Sequence, residues 1–177
     1  MNVGTRHERG DEERTSVLFL FGLAGSGKNY VADIISRRTD YHHYDADNDI
    51  TDEMREALEQ GRPFTDAIRD RYFKFLADRI LDYGQQYPRL LVTQAVYRRR
   101  HRKYLLDRIP NLLFVYIQAD ESVISKRLST RKEGIDLSTA SVLRADFETP
   151  DVSMHVITNN GDNEQLMQQL SELLDSL

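Results

Sequence analysis

The 177 residues carry 24 Lys and Arg against 29 Asp and Glu, a formal net charge of -5, and no cysteine. That length suits one domain with a sizeable core, and the missing cysteines exclude disulfides, thiolate zinc sites and cysteine nucleophiles. The acidic balance argues against a protein that coats nucleic acid, and no apolar run reaches the length that spans a bilayer.

Residues 1–16 are polar and mixed in charge, without the apolar core of a signal peptide. They are expected to form a disordered arm ahead of a domain at 17–177, and the cytoplasm is the expected compartment. Val17 to Phe21 is an apolar run, read as a strand, that stops at Gly22. Gly22, Gly25 and Gly27 then precede Lys28 and an apolar-periodic segment that reads as a helix to about Arg38. GLAGSGKN fits the phosphate-loop pattern G-x-x-x-x-G-K-[ST] at every position but the last, where Asn29 stands. Glycines let successive backbone N–H groups turn inward, and the helix N-terminus behind them adds its dipole. Gly22, Gly25, Ser26, Gly27, Lys28 and Asn29 are therefore the candidate contacts to a nucleoside triphosphate. Asn29 offers a neutral carbonyl oxygen where a hydroxyl normally meets magnesium.

Tyr41 to Tyr44 reads as a second strand that delivers Asp45, Asp47 and Asp49 at its C-terminal end. Asp49 is placed as the cap of a helix from Ile50 to Gln60, and His42 and His43 as ordinary strand residues. Pro63 suits the first turn of a long amphipathic helix that stops near Gly84. Leu90 to Thr93 is a third strand, Arg98 to Arg108 a helix, and Leu112 to Ile117 a strand covered on both faces. Glu121 to Arg131 reads as a helix, 132–138 as a mobile loop, and Thr139 to Phe147 as a short helix. Met154 to Thr158 is the last strand, followed by a turn at Asn159, Asn160 and Gly161 and a final amphipathic helix. Strands alternating with helices imply a parallel, five-stranded sheet covered on both sides. Right-handed crossovers put the strand ends that carry Gly22 to Lys28, Asp45 to Asp49, Gln94 to Arg99 and Asn159 to Gly161 on one edge.

The order of these parts resembles the small P-loop metabolite kinases, most closely the gluconate kinases and more distantly the shikimate and adenylylsulfate kinases. GLAGSGK resembles their phosphate loop, YDADND their D-x-D, and GRPFTDAIRDRYFKFL the segment G-x-P-L-x-D-x-D-R-x-P-W-L. The resemblance implies a three-layer P-loop NTPase fold with a small helical lid and the cofactors ATP and Mg2+. It further implies that Lys28 holds the β- and γ-phosphates, that Asp45 with Asn29 positions magnesium, and that Asp47 approaches the acceptor hydroxyl. Arg127 and Arg131 become lid arginines, Asn160 joins the nucleotide contacts, and Asp66, Arg69, Tyr97 and Arg98 join Asp47 around the acceptor. Ile68 stands at the second Asp of D-x-D-R, Tyr72 at the tryptophan, Tyr97 at a lysine, and Ala145, Asp146 and Phe147 at S-Q-F. The acceptor half therefore departs further from the pattern than the ATP half.

The reading that follows is a kinase that phosphorylates a hydroxyl of a small metabolite, a sugar acid or polyol, acting as monomer or homodimer without membrane or nucleic-acid partners. The basic run RRRHRK keeps open a nucleotide or nucleic-acid-end kinase, with Arg98 and Arg102 facing an anionic group or else lying on a solvated helix face. Asn29 keeps open a nucleotide-binding regulator with weak or no transfer activity.

Overall fold

In the computed structural model, which describes residues 16–130, 137–151 and 154–177, the central strand is β1 (Ser16–Phe21), and its alternation sets both helical layers. Successive strand side chains point to opposite faces. Val17, Phe19 and Phe21 enter the cluster that holds Tyr72, Phe73, Leu76 and Ile80, whereas Leu18 and Leu20 enter the one that holds Val31, Ile35, Leu166 and Leu170. Both faces are covered, so every position from Val17 to Phe21 is apolar.

The chain continues through α1 (Lys28–Arg38), β2 (His42–Asp45), a 3-10 turn (Ala46–Asp49), α2 (Asp52–Glu59) and α3 (Asp66–Gln86). Then follow β3 (Arg89–Thr93), α4 (Arg99–Arg108), β4 (Leu112–Gln118), α5 (Glu121–Thr130), α6 (Leu137–Arg144), β5 (His155–Thr158) and α7 (Asn163–Asp175). The five strands are parallel in the order β2-β3-β1-β4-β5, which is the three-layer α/β arrangement expected from the sequence. The chain moves from β1 towards one edge, returns as β3, and then crosses to β4 on the other side of β1. Such a change of direction opens a crevice at the C-terminal ends of the strands.

The boundaries differ where a side chain found a better partner than the local pattern suggested. Asp49 does not cap α2: it accepts hydrogen bonds from the Tyr44 hydroxyl at 2.7 Å and from Arg79 at 3.2 Å, while Thr51 accepts the Met54 N–H at the helix start. Pro63 precedes α3, which begins behind the cap of Thr65 on the Ile68 N–H and runs through Gly84 to Gln86. Helix α6 starts at Leu137 rather than Thr139 and ends at Arg144, and the segment after it is not helical but lies against the β3–α4 connection. His42 stacks on Tyr87 at 3.6 Å between ring centres, and His43 shares a hydrogen bond with Thr93 at 3.0 Å; burial holds the His43 imidazole below its ordinary pKa. Both are strand residues in structural roles. Of the expected arm only Ser16 is described, and it opens β1 rather than ending the arm; residues 1–15, Arg131 and nearly all of the expected lid loop lie outside the described residues. Among the described residues no helix is long and apolar enough to cross a membrane.

Candidate active site

The loop between β1 and α1 turns back under its own backbone. Gly22 lies so close to β4 that a Cβ there would stand 2.2 Å from the Ile117 carbonyl oxygen, a contact no side chain permits. Gly27 is left-handed at φ 91°, and a Cβ on it would stand 2.2 Å from Asn159 Nδ2. Glycine is required at both places for close approach, and at Gly27 for the dihedral as well. Beyond Gly27 the first N–H groups of α1 have no side-chain cap, whereas α2, α3 and α7 start under Thr51, Thr65 and Asp162. An uncapped helix N-terminus behind a glycine cradle is an anion site. Lys28 Nζ lies over it, donating to the carbonyls of Gly22 and Leu23, both at 3.1 Å. The Ser26 hydroxyl is fully buried beneath the loop on the Gly22 side, so Ser26 shapes the cradle from below.

Two side chains from distant elements clamp this loop. Arg127 of α5 donates to the carbonyls of Gly25 and Ser26 and to Asn159 Oδ1, each at 3.3 Å. Asn159, just past β5 and 2% exposed, donates its amide to the Ser26 carbonyl at 3.0 Å. Asn160, the residue singled out from the sequence, points elsewhere and accepts the Asp120 N–H at 2.8 Å. Of the turn NNG it is the first member that braces the loop. The available signal was position, since Asn159 is the first residue beyond β5 on the loop-bearing edge.

Asp45 and Asn29 meet at the rim. Asn29 Nδ2 donates to Asp45 Oδ2 at 2.7 Å, and Asp45 Oδ1 accepts the Asp47 N–H at 3.1 Å, which turns the chain into the 3-10 segment. Asp47 is carried past that turn and lines the cleft. Among the described residues no group of three or more His, Asp or Glu could hold a metal alone. One carboxylate and one amide carbonyl beside a phosphate site nevertheless suit Mg2+, which keeps several waters and binds through one or two carboxylates plus substrate phosphates.

A cleft of about 940 Å³ joins this loop to a second lining made by Asp47, Arg69, Tyr72, Gln94 and Tyr97. Tyr72 is fastened by donation to the Ala46 carbonyl at 3.0 Å and accepts from Gln94 at 2.6 Å. Burial pushes the Tyr97 phenol well above its ordinary pKa, and the negative charge of Asp47 adds to this while Arg69 opposes it. Tyr97 is therefore a neutral hydroxyl in the electrostatic reach of both. Arg69 is 3% exposed and paired with Asp146.

Three other expected residues are placed differently. Asp66 does not line the cleft; its exposed carboxylate lies 3.4 Å from Arg100. Arg98 pairs with Asp146 at 2.8 Å and with Glu148 at 3.5 Å, behind the lining. Arg102 neither faces a ligand nor lies on a solvated face: it is 2% exposed and donates to the carbonyls of Val96 and Glu148 at 2.8 Å and of Tyr97 at 3.3 Å. It bolts the β3–α4 connection to the segment after α6.

No protein-family model matches the chain. Among curated proteins it is 29% identical over 118 residues to the thermoresistant gluconokinase of Escherichia coli (strain K12), a match that spans 66% of this chain and 66%, just under two thirds, of that relative's length. It is 27% identical over 149 residues to the gluconokinase of Gluconobacter oxydans (strain 621H), covering 84% of this chain and 82% of the relative. Among solved structures, a sugar kinase from Janibacter sp. HTCC2649 superposes with a TM-score of 0.77 at 24% identity, over 91% of this chain and 95% of that one. The chain thus resembles the P-loop small-molecule kinases, gluconokinases among them, and has their α/β fold.

Proposed function

We propose that this protein is an ATP- and Mg2+-dependent kinase of the cytoplasm that transfers the γ-phosphate to a hydroxyl of a small polyhydroxylated metabolite, a sugar acid or polyol. One observation carries the reading: the uncapped N-terminus of α1, with Lys28 over it, opens into the same cleft as Asp47, Arg69 and Tyr97. A phosphate donor and a hydroxyl acceptor placed at the two ends of one cleft can meet in line.

Phosphoryl transfer is catalysed by positioning and charge neutralisation more than by covalent chemistry. In this reading the loop N–H groups hold the phosphates, and Lys28 exchanges its two loop carbonyls for the β- and γ-oxygens. Arg127 braces the loop from α5 and is near enough to share the developing charge, with Arg131 as a second candidate cation. Asp45 and the Asn29 carbonyl would hold magnesium, which would offset the phosphate charge. Asp47 orients the acceptor hydroxyl and takes its proton. Tyr97 and Arg69 donate to the acceptor's other oxygens.

The nucleic-acid-end reading has less to support it, because each member of the basic run has a partner within the chain. Arg98 and Arg102 are engaged as described, Arg99 lies 3.7 Å from Asp151, Arg100 and His101 reach Asp70 at 2.7 and 2.8 Å, and Lys103 meets Asp107 at 2.7 Å. ADP release coupled to a reporter, across a panel of sugars, polyols and their acids with an acceptor-free control, tests the proposal. Acceptor-dependent release supports it, whereas nucleotide binding with no phosphorylated product favours a regulator.

A further inference from the structure

At the acceptor end of the cleft the cations are already matched. Asp146 places one carboxylate oxygen on Arg69 and the other on Arg98, and Glu148 adds a second carboxylate to Arg98 at 3.5 Å. Asp146 is held there from several sides. The Glu148 N–H donates to the Tyr97 carbonyl at 2.8 Å, Glu148 Oε2 accepts the Arg99 N–H at 2.6 Å, and Phe147 packs between the rings of Tyr97 and Tyr116. Asp47 contributes a further negative charge within range of Tyr97. The other cations that line the cleft among the described residues are Lys28 on the phosphate loop, Arg127 of α5 bonded to that loop, and Arg55, exposed at the rim on α2.

A guanidinium buried opposite a carboxylate of its own chain has no charge left for a carboxylate of the substrate. An acid seated beside Tyr97 would meet Asp47 as a like charge in a partly desolvated space, with Arg69 already matched by Asp146, which selects against it. Neutral hydroxyls suffer no such repulsion, and the N–H groups of a matched guanidinium still donate to them. The buried Arg69 Nε has no hydrogen-bond partner among the described residues. Resting on the kinase reading above, we propose that Asp146 is a built-in carboxylate that occupies the arginine pair, so that the acceptor is a neutral polyhydroxylated compound, a polyol or sugar, and not a sugar acid.

The test is ADP release and calorimetric titration by the full chain with matched pairs of one carbon skeleton, glucitol with gluconate and ribitol with ribonate. The wild type is expected to show kcat/KM at least about tenfold higher for the neutral member, and Asp146→Asn to move that ratio towards the acid by about tenfold or more. Circular dichroism and ATP titration confirm that the variant is folded. A wild-type preference for the acid, or a ratio that folded Asp146→Asn leaves unmoved, overturns the proposal. Should the variant not fold, the wild-type preference decides alone. Should no pair be phosphorylated, the kinase reading fails separately and titration decides: a gain of about tenfold in gluconate affinity in Asp146→Asn, with glucitol unchanged, supports the occupied arginine pair, and no gain removes it.

Discussion

At one end of the cleft the proposed phosphate site is made by a single stretch of chain, Gly22 to Lys28, and the uncapped start of α1. At the other, where the acceptor is proposed to sit, the lining is made of side chains from α3, the 3-10 turn and the β3–α4 connection, backed by the segment after α6. The first end is held by glycine close approach and by carbonyls that accept from Lys28, Arg127 and Asn159. The second is held by ion pairs between residues 48 and 77 positions apart, Arg98 and Arg69 with Asp146. A backbone site can bind one chemical group, phosphate, and tolerates little variation. A side-chain site can be rebuilt by single substitutions, which explains how a chain can keep the loop of a kinase family while changing what sits opposite it.

Two substitutions at the reacting centre probe whether the ends act together. Lys28→Ala is expected to lower turnover by about a thousandfold or more, as for the loss of a charge that meets the transferred group. Because Lys28 is partly exposed and fills no core volume, the melting temperature stays within a degree or two. Unchanged turnover in a folded variant would separate the loop from the chemistry. Asp47→Asn is expected to cost roughly a hundredfold in single-turnover transfer, the scale of general-base loss, with ATP affinity little changed. Near-normal transfer would move the base to Asp45 and sever the link between the 3-10 turn and the acceptor.

How much of this was readable in the sequence follows the same division. The phosphate loop, the five parallel strands and the cleft edge are each written in a stretch of contiguous residues: a glycine spacing, an apolar run, a turn. Asp45 and Asp47 lie at that edge because they follow the second strand directly, and Arg69, which only the resemblance singles out, lines the same cleft from α3. Arg102 and Asp146 were not legible, since their roles depend on partners that only the folded connection brings near. RRRHRK reads locally as a solvated or anion-binding face, and only the carbonyls of Val96, Tyr97 and Glu148 turn Arg102 into a bolt. Asp66 and Asn160 show the opposite case. Local pattern pointed to them, and Arg100 and the Asp120 N–H claimed them.

The bolt gives a prediction confined to the acceptor end. Arg102→Leu keeps the volume of the stem beside Phe21 and Phe147 but leaves the Val96 and Glu148 carbonyls without their donor, while the Tyr97 carbonyl keeps the Glu148 N–H. Unsatisfied buried polar groups cost about 1–3 kcal/mol each and part of that is relieved by relaxation, so a net loss of about 3 kcal/mol is expected. In a chain of this size that lowers the melting temperature by roughly 6–12 °C. Nucleotide affinity of the folded variant stays the same, because the phosphate loop shares no partner with Arg102. A fall in ATP affinity that matches the fall in acceptor affinity would show that the two ends are one mechanical unit.

The smallest expected effect tests the one irregular position of the phosphate end. Asn29 stands where the loop pattern calls for Ser or Thr, and its amide nitrogen is bonded to Asp45 at 2.7 Å. That bond holds Asp45 in place without metal, but it also takes up a carboxylate oxygen that magnesium would use. A serine at this position is shorter, cannot span the same gap to Asp45 and offers a hydroxyl oxygen of the kind Mg2+ accepts. Asn29→Ser is therefore expected to leave ATP affinity without metal almost unchanged, to lower the Mg2+ concentration at half-maximal rate, and to raise turnover by a few-fold at limiting Mg2+, the scale expected for exchanging one neutral oxygen ligand for another. Magnesium titration of the coupled rate at fixed ATP measures this. If the serine variant needs more magnesium than the wild type, the Asn29–Asp45 hydrogen bond is itself what presents the carboxylate to the metal. The departure from the pattern would then be a working part of the site, and the two ends of the cleft would have diverged together.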